Sequence, residues 1–232
     1  WDANREQDYC WWRARLKHNL SLYDWLRLDH FQGFFRYWSI PASAKIALAG
    51  HWMPGPGREF FQCASRRLTH LPFIAEDLGE ITLDTREAMH TYGLPGMRPL
   101  TFAFNESLAT SPFALHNLER NTVVYTGTHD LNTLRGWFET EASRKQKTLL
   151  SRYLGRKVTA DTVAPLMIQM AMMTVADTVI IPLQDILGLG ADARMNRPGT
   201  LKGNWIWRFR SDRLTQETAS TLADWTELYG RS

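Results

Sequence analysis

Apolar and polar positions recur along this chain with two periods, near two and near 3.6, and the alternation between them predicts short strands separated by helices. Residues 5–20, "REQDYCWWRARLKHNL", set Tyr9, Trp12, Leu16 and Leu20 at helical spacing and predict an amphipathic helix. "WLRLDHF", residues 25–31, predicts a short strand. Residues 38–64 read as a Pro/Gly-rich loop with a weak helical stretch at each end. "FIAED" predicts the second strand, and "TLDTREAMHTYG" a helix with a Thr or Asp cap and Gly93 at its end. "LTFAF" and "TVVYTGTHD" predict the third and fourth strands. Residues 132–153 and 161–176 predict helices, the second with a Met stripe that suits core filling. "TVIIPLQDIL" predicts a fifth strand ending at Pro182 or just beyond, followed by the polar loop "GLGADARMNRPGTLKGNW". The last helix lines Leu214, Thr218, Leu222, Trp225 and Tyr229 along one face.

Strand–helix alternation over the whole length predicts a parallel α/β architecture, whose chemistry gathers at the carboxyl ends of strands. A length of 232 residues suits one large domain or two small ones, and the 44% hydrophobic and 22% charged content suits a globular core. Net charge is +3, and the basic patches "SRRLTH" and "SRKQK" are too short and scattered for a nucleic-acid surface. Apolar runs are too interrupted for a membrane span or a signal peptide. Cys10 and Cys63 form neither a metal spacing nor a disulfide framework, which suits a reducing compartment and a cytoplasmic location. Ten tryptophans are a heavy load, and aromatic faces suit both cores and the C–H faces of sugars.

Three acids follow apolar strands: Asp29 in "RLDHF", Glu76 in "FIAED" and Asp130 in "YTGTHD". If the strand ends converge, as in a β/α barrel, neighbouring carboxylates keep one group protonated while another stays ionised, the requirement for glycosidic-bond cleavage. Strand alternation puts Arg27 on the face of Asp29, where a guanidinium favours the ionised form. An ordinary Arg–Asp pair at a strand end fits that spacing equally well. His129, beside Asp130, fits a sugar donor or a satisfied strand-end histidine. No His/Cys/Asp cluster has metal-ligand spacing, and "GPG" and "GLG" fall short of a dinucleotide fingerprint.

The segments "LRLDHFQGFFRYWSIP", "HWMPGPG", "PFIAEDLGEIT", "GLPGMRPLTFAF", "NTVVYTGTHD", "PLQDILGLGADARMNRPGT" and "GNWIWR", in that order, resemble the 4-α-glucanotransferases, the amylomaltases or disproportionating enzymes of the α-amylase superfamily. The resemblance spans essentially the whole chain. It implies the C-terminal portion, about strands 4 to 8, of a (β/α)8 TIM barrel over residues 1–232. It also implies transfer of α-1,4-glucan segments between malto-oligosaccharides, with no cofactor and no metal. Asp29 falls on the family's nucleophile, Glu76 on its general acid/base and Asp130 on its transition-state stabiliser. Arg27 and His129 match supporting residues around the donor sugar. Asn204 and Trp205 fall in a loop near the donor site, and Asp77 is a neighbour fixing the loop or a sugar hydroxyl.

The sequence departs from the family pattern at Gln32, where relatives show Arg, and at Leu131, where "HDLNT" replaces "HDNDT". The start "WDANREQ" reads as a cut edge, and the first three strands of the barrel are expected to be absent. Five strands cannot close such a barrel. The expectation is a fragment of a longer enzyme, or a chain completed by the missing N-terminal half or by a second copy. A catalytically inactive glucan-binding or assembly fragment is the competing reading, with an α-glucan hydrolase as the third. Neither a nucleic-acid nor a membrane partner is expected.

Overall fold

The computed structural model describes residues 1–66, 71–105 and 107–231, so part of the "SRRLTH" patch, residues 67–70, lies outside the described residues. The chain forms two compact units, Trp1–Met97 and Arg98–Ser232.

In the first unit, α1 (Asp2–Glu6) and α2 (Cys10–Leu20) precede β1 (Leu26–Leu28), a 3-10 turn at Phe31–Phe34, β2 (Arg36–Ser39) and β3 (His51–Pro54). Then come α3 (Arg58–Ser65), β4 (Phe73–Ala75), α4 (Leu83–Thr91) and β5 (Gly96–Pro99), within which the second unit begins. β4 runs parallel to β1, with Leu28 opposite Ala75, and parallel to β5, with Ala75 opposite Gly96. Tyr9, Leu16, Phe31, Phe34, Phe60, Phe61 and Phe73 are buried together as the core of this unit.

The predicted helix 5–20 is interrupted because Tyr9 takes a left-handed conformation (φ 52°). That turn lets its ring pack edge-on to Phe60 at 5.5 Å and its hydroxyl donate to Glu59 at 2.9 Å. The region read as a loop contains an antiparallel hairpin, β2–β3, with Trp38 opposite Trp52, while the helical stretch expected at its C-terminal end forms as the eight-residue α3. Strands of four residues with a proline nearby give too little alternation to be read. The helix after Thr82 forms as expected, and Gly93 follows it at φ 63°.

In the second unit β6 (Thr122–Tyr125) is followed by α5 (Leu134–Gly136), a π-helical turn at Trp137–Glu141, α6 (Arg144–Tyr153) and α7 (Val163–Met172). β7 (Thr178–Ile180), α8 (Leu183–Ile186) and α9 (Gln216–Leu228) complete it. β6 and β7 are parallel, with Val124 opposite Val179. Met167 and Met170 are fully buried in the core with Leu134, Leu150 and Val124, so the Met stripe fills the interior.

"LTFAF" is not a strand. Leu100–Phe104 is a 3-10 turn with Leu100, Thr101, Ala103 and Phe104 buried, and the preceding Gly96–Pro99 forms the strand instead. A short apolar run carries no period that separates the two. The predicted helix 132–153 breaks at Ala142, after which Ser143 and Gln146 form a reciprocal capping box for α6. The last helix half-buries Thr218, Leu222, Trp225 and Tyr229 but leaves Leu214 exposed. Arg231, beyond it, donates to the carbonyls of Met172, Thr174 and Ala176 and so ties the chain to the end of α7. Among the described residues, parallel pairing joins β1, β4 and β5 in the first unit and β6 and β7 in the second; four of these fall on predicted strands, and β5 replaces the strand expected at Leu100–Phe104. The class is α/β.

Candidate functional site

Asp29 is the first residue past β1, and its side chain is 76% exposed. The Arg27 Nη2 donates to Asp29 Oδ1 at 2.5 Å, as alternation along the strand requires. Arg27 Nε lies 3.2 Å from Met97 Sδ, which steadies the guanidinium. The next residue, His30, turns left-handed (φ 47°) and sends its backbone N–H to Glu76 Oε2 at 2.8 Å.

Glu76 is the first residue past β4 and is half-buried. Its other oxygen, Oε1, accepts the Leu78 N–H at 2.9 Å. Its own N–H donates to the Leu28 carbonyl at 3.0 Å, and its carbonyl accepts the Phe31 N–H at 3.1 Å. Main-chain bonds thus fix both ends of the residue, while each carboxylate oxygen keeps a second lone pair for a proton or a ligand. Asp29 and Glu76 are brought to the ends of adjacent parallel strands and linked through one peptide N–H.

Asp77 does something different. Its Oδ1 accepts the Met97 N–H at 2.8 Å, bracing the end of β4 against β5. A Cβ on Gly96 would stand 2.5 Å from Asp77 Oδ2, so glycine is needed for that approach. Gln32 is buried. Its Oε1 accepts the Thr82 N–H at 3.1 Å and the Thr85 hydroxyl at 2.9 Å, tying the Phe31–Phe34 turn to the start of α4.

In the second unit, Asp130 lies on the loop after β6. Its Oδ1 accepts from Asn196 Nδ2 at 2.5 Å, and its Oδ2 lies 3.2 Å from His129 Nε2. Arg194 donates through Nη2 to the Asp130 carbonyl at 2.6 Å and through Nη1 to Glu141 Oε1 at 2.9 Å, which also accepts from Asn132 Nδ2 at 2.9 Å. The His129 ring packs 5.4 Å from the Trp205 ring. Trp205 is left-handed (φ 61°) and donates its N–H to the Met195 carbonyl at 2.7 Å. Asn204 closes its own loop, accepting the Arg197 N–H at 2.9 Å and donating to the Thr200 carbonyl at 3.0 Å.

Asp185, which the sequence reading passes over, lies beneath this loop. It is 2% exposed, with the Thr126 hydroxyl on Oδ2 at 2.8 Å and the Leu134 N–H on Oδ1 at 2.7 Å. It clasps the two ends of the segment that carries His129 and Asp130. Burial pushes its carboxyl up to about 6, against the opposing pull of those two bonds. A signal existed: "PLQDIL" follows the fifth strand, as the other acids follow theirs. Arg194 and Asn196 fall within "PLQDILGLGADARMNRPGT", where nothing local marks them as partners of Asp130. Among the described residues, no three His, Cys, Asp or Glu side chains gather as a metal site, and no helix is long and apolar enough to cross a membrane.

These features define an α/β protein whose acids stand at the carboxyl ends of parallel strands, and comparison with known proteins narrows the class. The profile of the family described as 4-alpha-glucanotransferase, glycoside hydrolase family 77, matches residues 1–215. The chain belongs to that family. It is 44% identical over its full length to the chloroplastic/amyloplastic 4-alpha-glucanotransferase DPE1 of Arabidopsis thaliana, covering 40% of that protein. It is 43% identical over its full length to the 4-alpha-glucanotransferase of Synechocystis sp., covering 46% of it. Its fold matches the amylomaltase from Streptococcus agalactiae solved in complex with acarbose, with a TM-score of 0.94 and 37% identity over 99% of this chain and 46% of that one. The chain therefore spans less than half the length of these relatives.

Proposed function

We propose that this chain carries the catalytic carboxylates of a 4-α-glucanotransferase, on strands that correspond to the fourth to eighth of a (β/α)8 barrel. The observation that carries the reading is the pairing of Asp29 with Arg27, next to a Glu76 held by the His30 N–H on the adjacent strand. Asp29, exposed and beside a guanidinium, suits the nucleophile. Glu76 suits the proton donor to the leaving glucosyl oxygen and then the base for the acceptor 4-hydroxyl. The covalent glycosyl–Asp29 ester forms as the α-1,4 bond breaks, and the acceptor oxygen displaces Asp29 in the second step. Asp130, with His129, suits the hydroxyls of the distorted sugar. Substrates are malto-oligosaccharides, and the missing barrel strands come from the rest of a longer chain or from a second copy. Cys10 and Cys63 are both free thiols, which suits the cytoplasm.

Because the chain covers less than half of its relatives, an inactive glucan-binding fragment is the second reading. Incubation with maltotriose separates the readings. Transfer yields glucose together with chains longer than the substrate, and Glu76→Gln lowers the rate by roughly 10²-fold or more. Glucose and maltose without longer chains would replace transfer by hydrolysis. Glucan binding without any turnover would support the inactive fragment.

A further inference from the structure

An open cleft of about 620 Å³ lies on the first unit, between the β2–β3 hairpin and the first turns of α3 and α4. Trp52, Arg36, Arg58, Glu59, Thr82 and Asp84 form its walls, and the backbone of Pro54–Gly57 its floor. That floor is rigid. Gly55 donates to the Phe35 carbonyl at 2.7 Å and Gly57 to the Phe34 carbonyl at 2.8 Å. A Cβ on Gly55 would fall 2.2 Å from the Phe34 oxygen, and Gly57 sits at φ 54°, so this turn suits glycine at both positions. The cleft is therefore preformed, as ligand sites usually are.

Its chemistry is mixed and neutral. Two cations, Arg36 and Arg58, face two acids, Glu59 and Asp84. Arg58 is engaged by Glu87, and Glu59 by Arg5 and Tyr9, so the walls present little net field to attract an ion. The Trp52 indole is 48% exposed and carries the Arg36 guanidinium 4.4 Å from its ring centre. Arg36 pairs with Glu80 at 3.2 Å, yet its Nε is buried without a hydrogen-bond partner. Trp38 packs edge-on to Trp52 at 5.3 Å, and the half-exposed part of the indole, beside fixed donors and acceptors, suits a neutral polyhydroxylated chain: hydroxyls meet the polar groups, and a sugar C–H face meets the exposed indole.

We propose that this cleft is a second α-1,4-glucan subsite, distinct from the carboxylates of Asp29 and Glu76, with Trp52 as its platform and Arg36 and Asp84 as its hydroxyl partners. The inference rests on the glucanotransferase reading and extends it. Arg36 lies seven positions after Asp29, so their α-carbons stand within about 25 Å of each other. One long glucan can therefore engage both, and the subsite favours longer chains over short ones.

Calorimetric titration of the full chain, as the Glu76→Gln variant, with maltoheptaose and with maltotriose tests this. Maltoheptaose is expected to bind at least tenfold more tightly than maltotriose, and Trp52→Ala in the same background to remove that preference. Trp52→Phe restores part of it. If Trp52→Ala loses its circular dichroism signal, Arg36→Lys and Asp84→Asn decide, each expected to weaken maltoheptaose about threefold or more. Maltoheptaose affinity unchanged by these substitutions would overturn the subsite while leaving the proposed function standing. Binding of neither glucan would overturn both.

Discussion

Glu76 and Asp130 each follow a parallel strand, in different units, and the chain holds them by different means. Glu76 takes its bonds from the main chain of His30 and Leu78, and its own backbone pairs with Leu28 and Phe31. Asp130 depends on the side chains of Asn196 and His129, while Arg194, braced by Glu141, grips its carbonyl and Asp185 clasps the loop beneath. A group fixed by backbone bonds keeps its place as long as two strands keep their register. One fixed through a relay of side chains keeps it only while several distant residues all stay packed, and each of them is a point of failure.

Two glycine substitutions set that contrast against itself. At Gly136, in the second unit, a Cβ would lie 2.3 Å from Asn132 Oδ1 and 2.8 Å from the backbone of Ala191. Backbone cannot swing aside, and moving Asn132 loosens Glu141, Arg194 and then Asp130. Gly136→Ala is expected to cost about 3 kcal/mol, the upper end for overpacking. Gly96→Ala, in the first unit, has the Asp77 carboxylate as its nearest neighbour, a flexible group that can turn aside at the expense of bonds such as that to the Met97 N–H. About 1 kcal/mol is expected there. Urea denaturation of the two variants ranks them, and equal costs would remove the distinction.

Asp185 lets the second unit be probed by pH. Its carboxyl titrates near 6 in the folded chain against 3.8 for the unperturbed group. The folded chain therefore holds a proton that the unfolded chain has released between about pH 4 and 6, and stability falls as pH rises through that window. The full cost, on the order of 3 kcal/mol, stands above it. Asn at this position cannot ionise, yet its oxygen can accept the Leu134 N–H and its amide can donate to Thr126. Asp185→Asn should thus gain on the wild type as pH rises from 4 to 7, read as the difference in Tm. A flat difference would mean that Asp185 does not titrate in that range.

The two regions also differed in how well the sequence revealed them. Arg27, Asp29 and Glu76 were readable because strand alternation and strand ends are local patterns, and local patterns place them. Asp130 was readable for the same reason, but its supports were not: Asp185, Arg194 and Asn196 come from segments more than fifty residues further along, and nothing local marks them as its partners. The β2–β3 hairpin escaped because "RYWS" and "HWMP" are too short to set a period, and "LTFAF" misled because four of its five residues are buried in a turn rather than a strand. Asp77, read as a sugar or loop contact, braces β5 in a way that only the pairing of Gly96 with Ala75 makes visible.

The smallest effect expected belongs to Asn204, and it tests whether the relay reaches the surface. Its side chain binds the Arg197 N–H and the Thr200 carbonyl across an exposed loop, where such bonds are worth about 1 kcal/mol together. Global stability should hardly change in Asn204→Ala. The loop itself should loosen, because Trp205 follows directly and keeps its strained left-handed backbone only while the loop is closed. Hydrogen exchange at the Arg197 and Trp205 amides should quicken in the variant while the amides of β6 stay protected. If the Trp205 amide stays as slow as before, its bond to the Met195 carbonyl holds the ring beside His129 unaided, and the relay ends at Asn196.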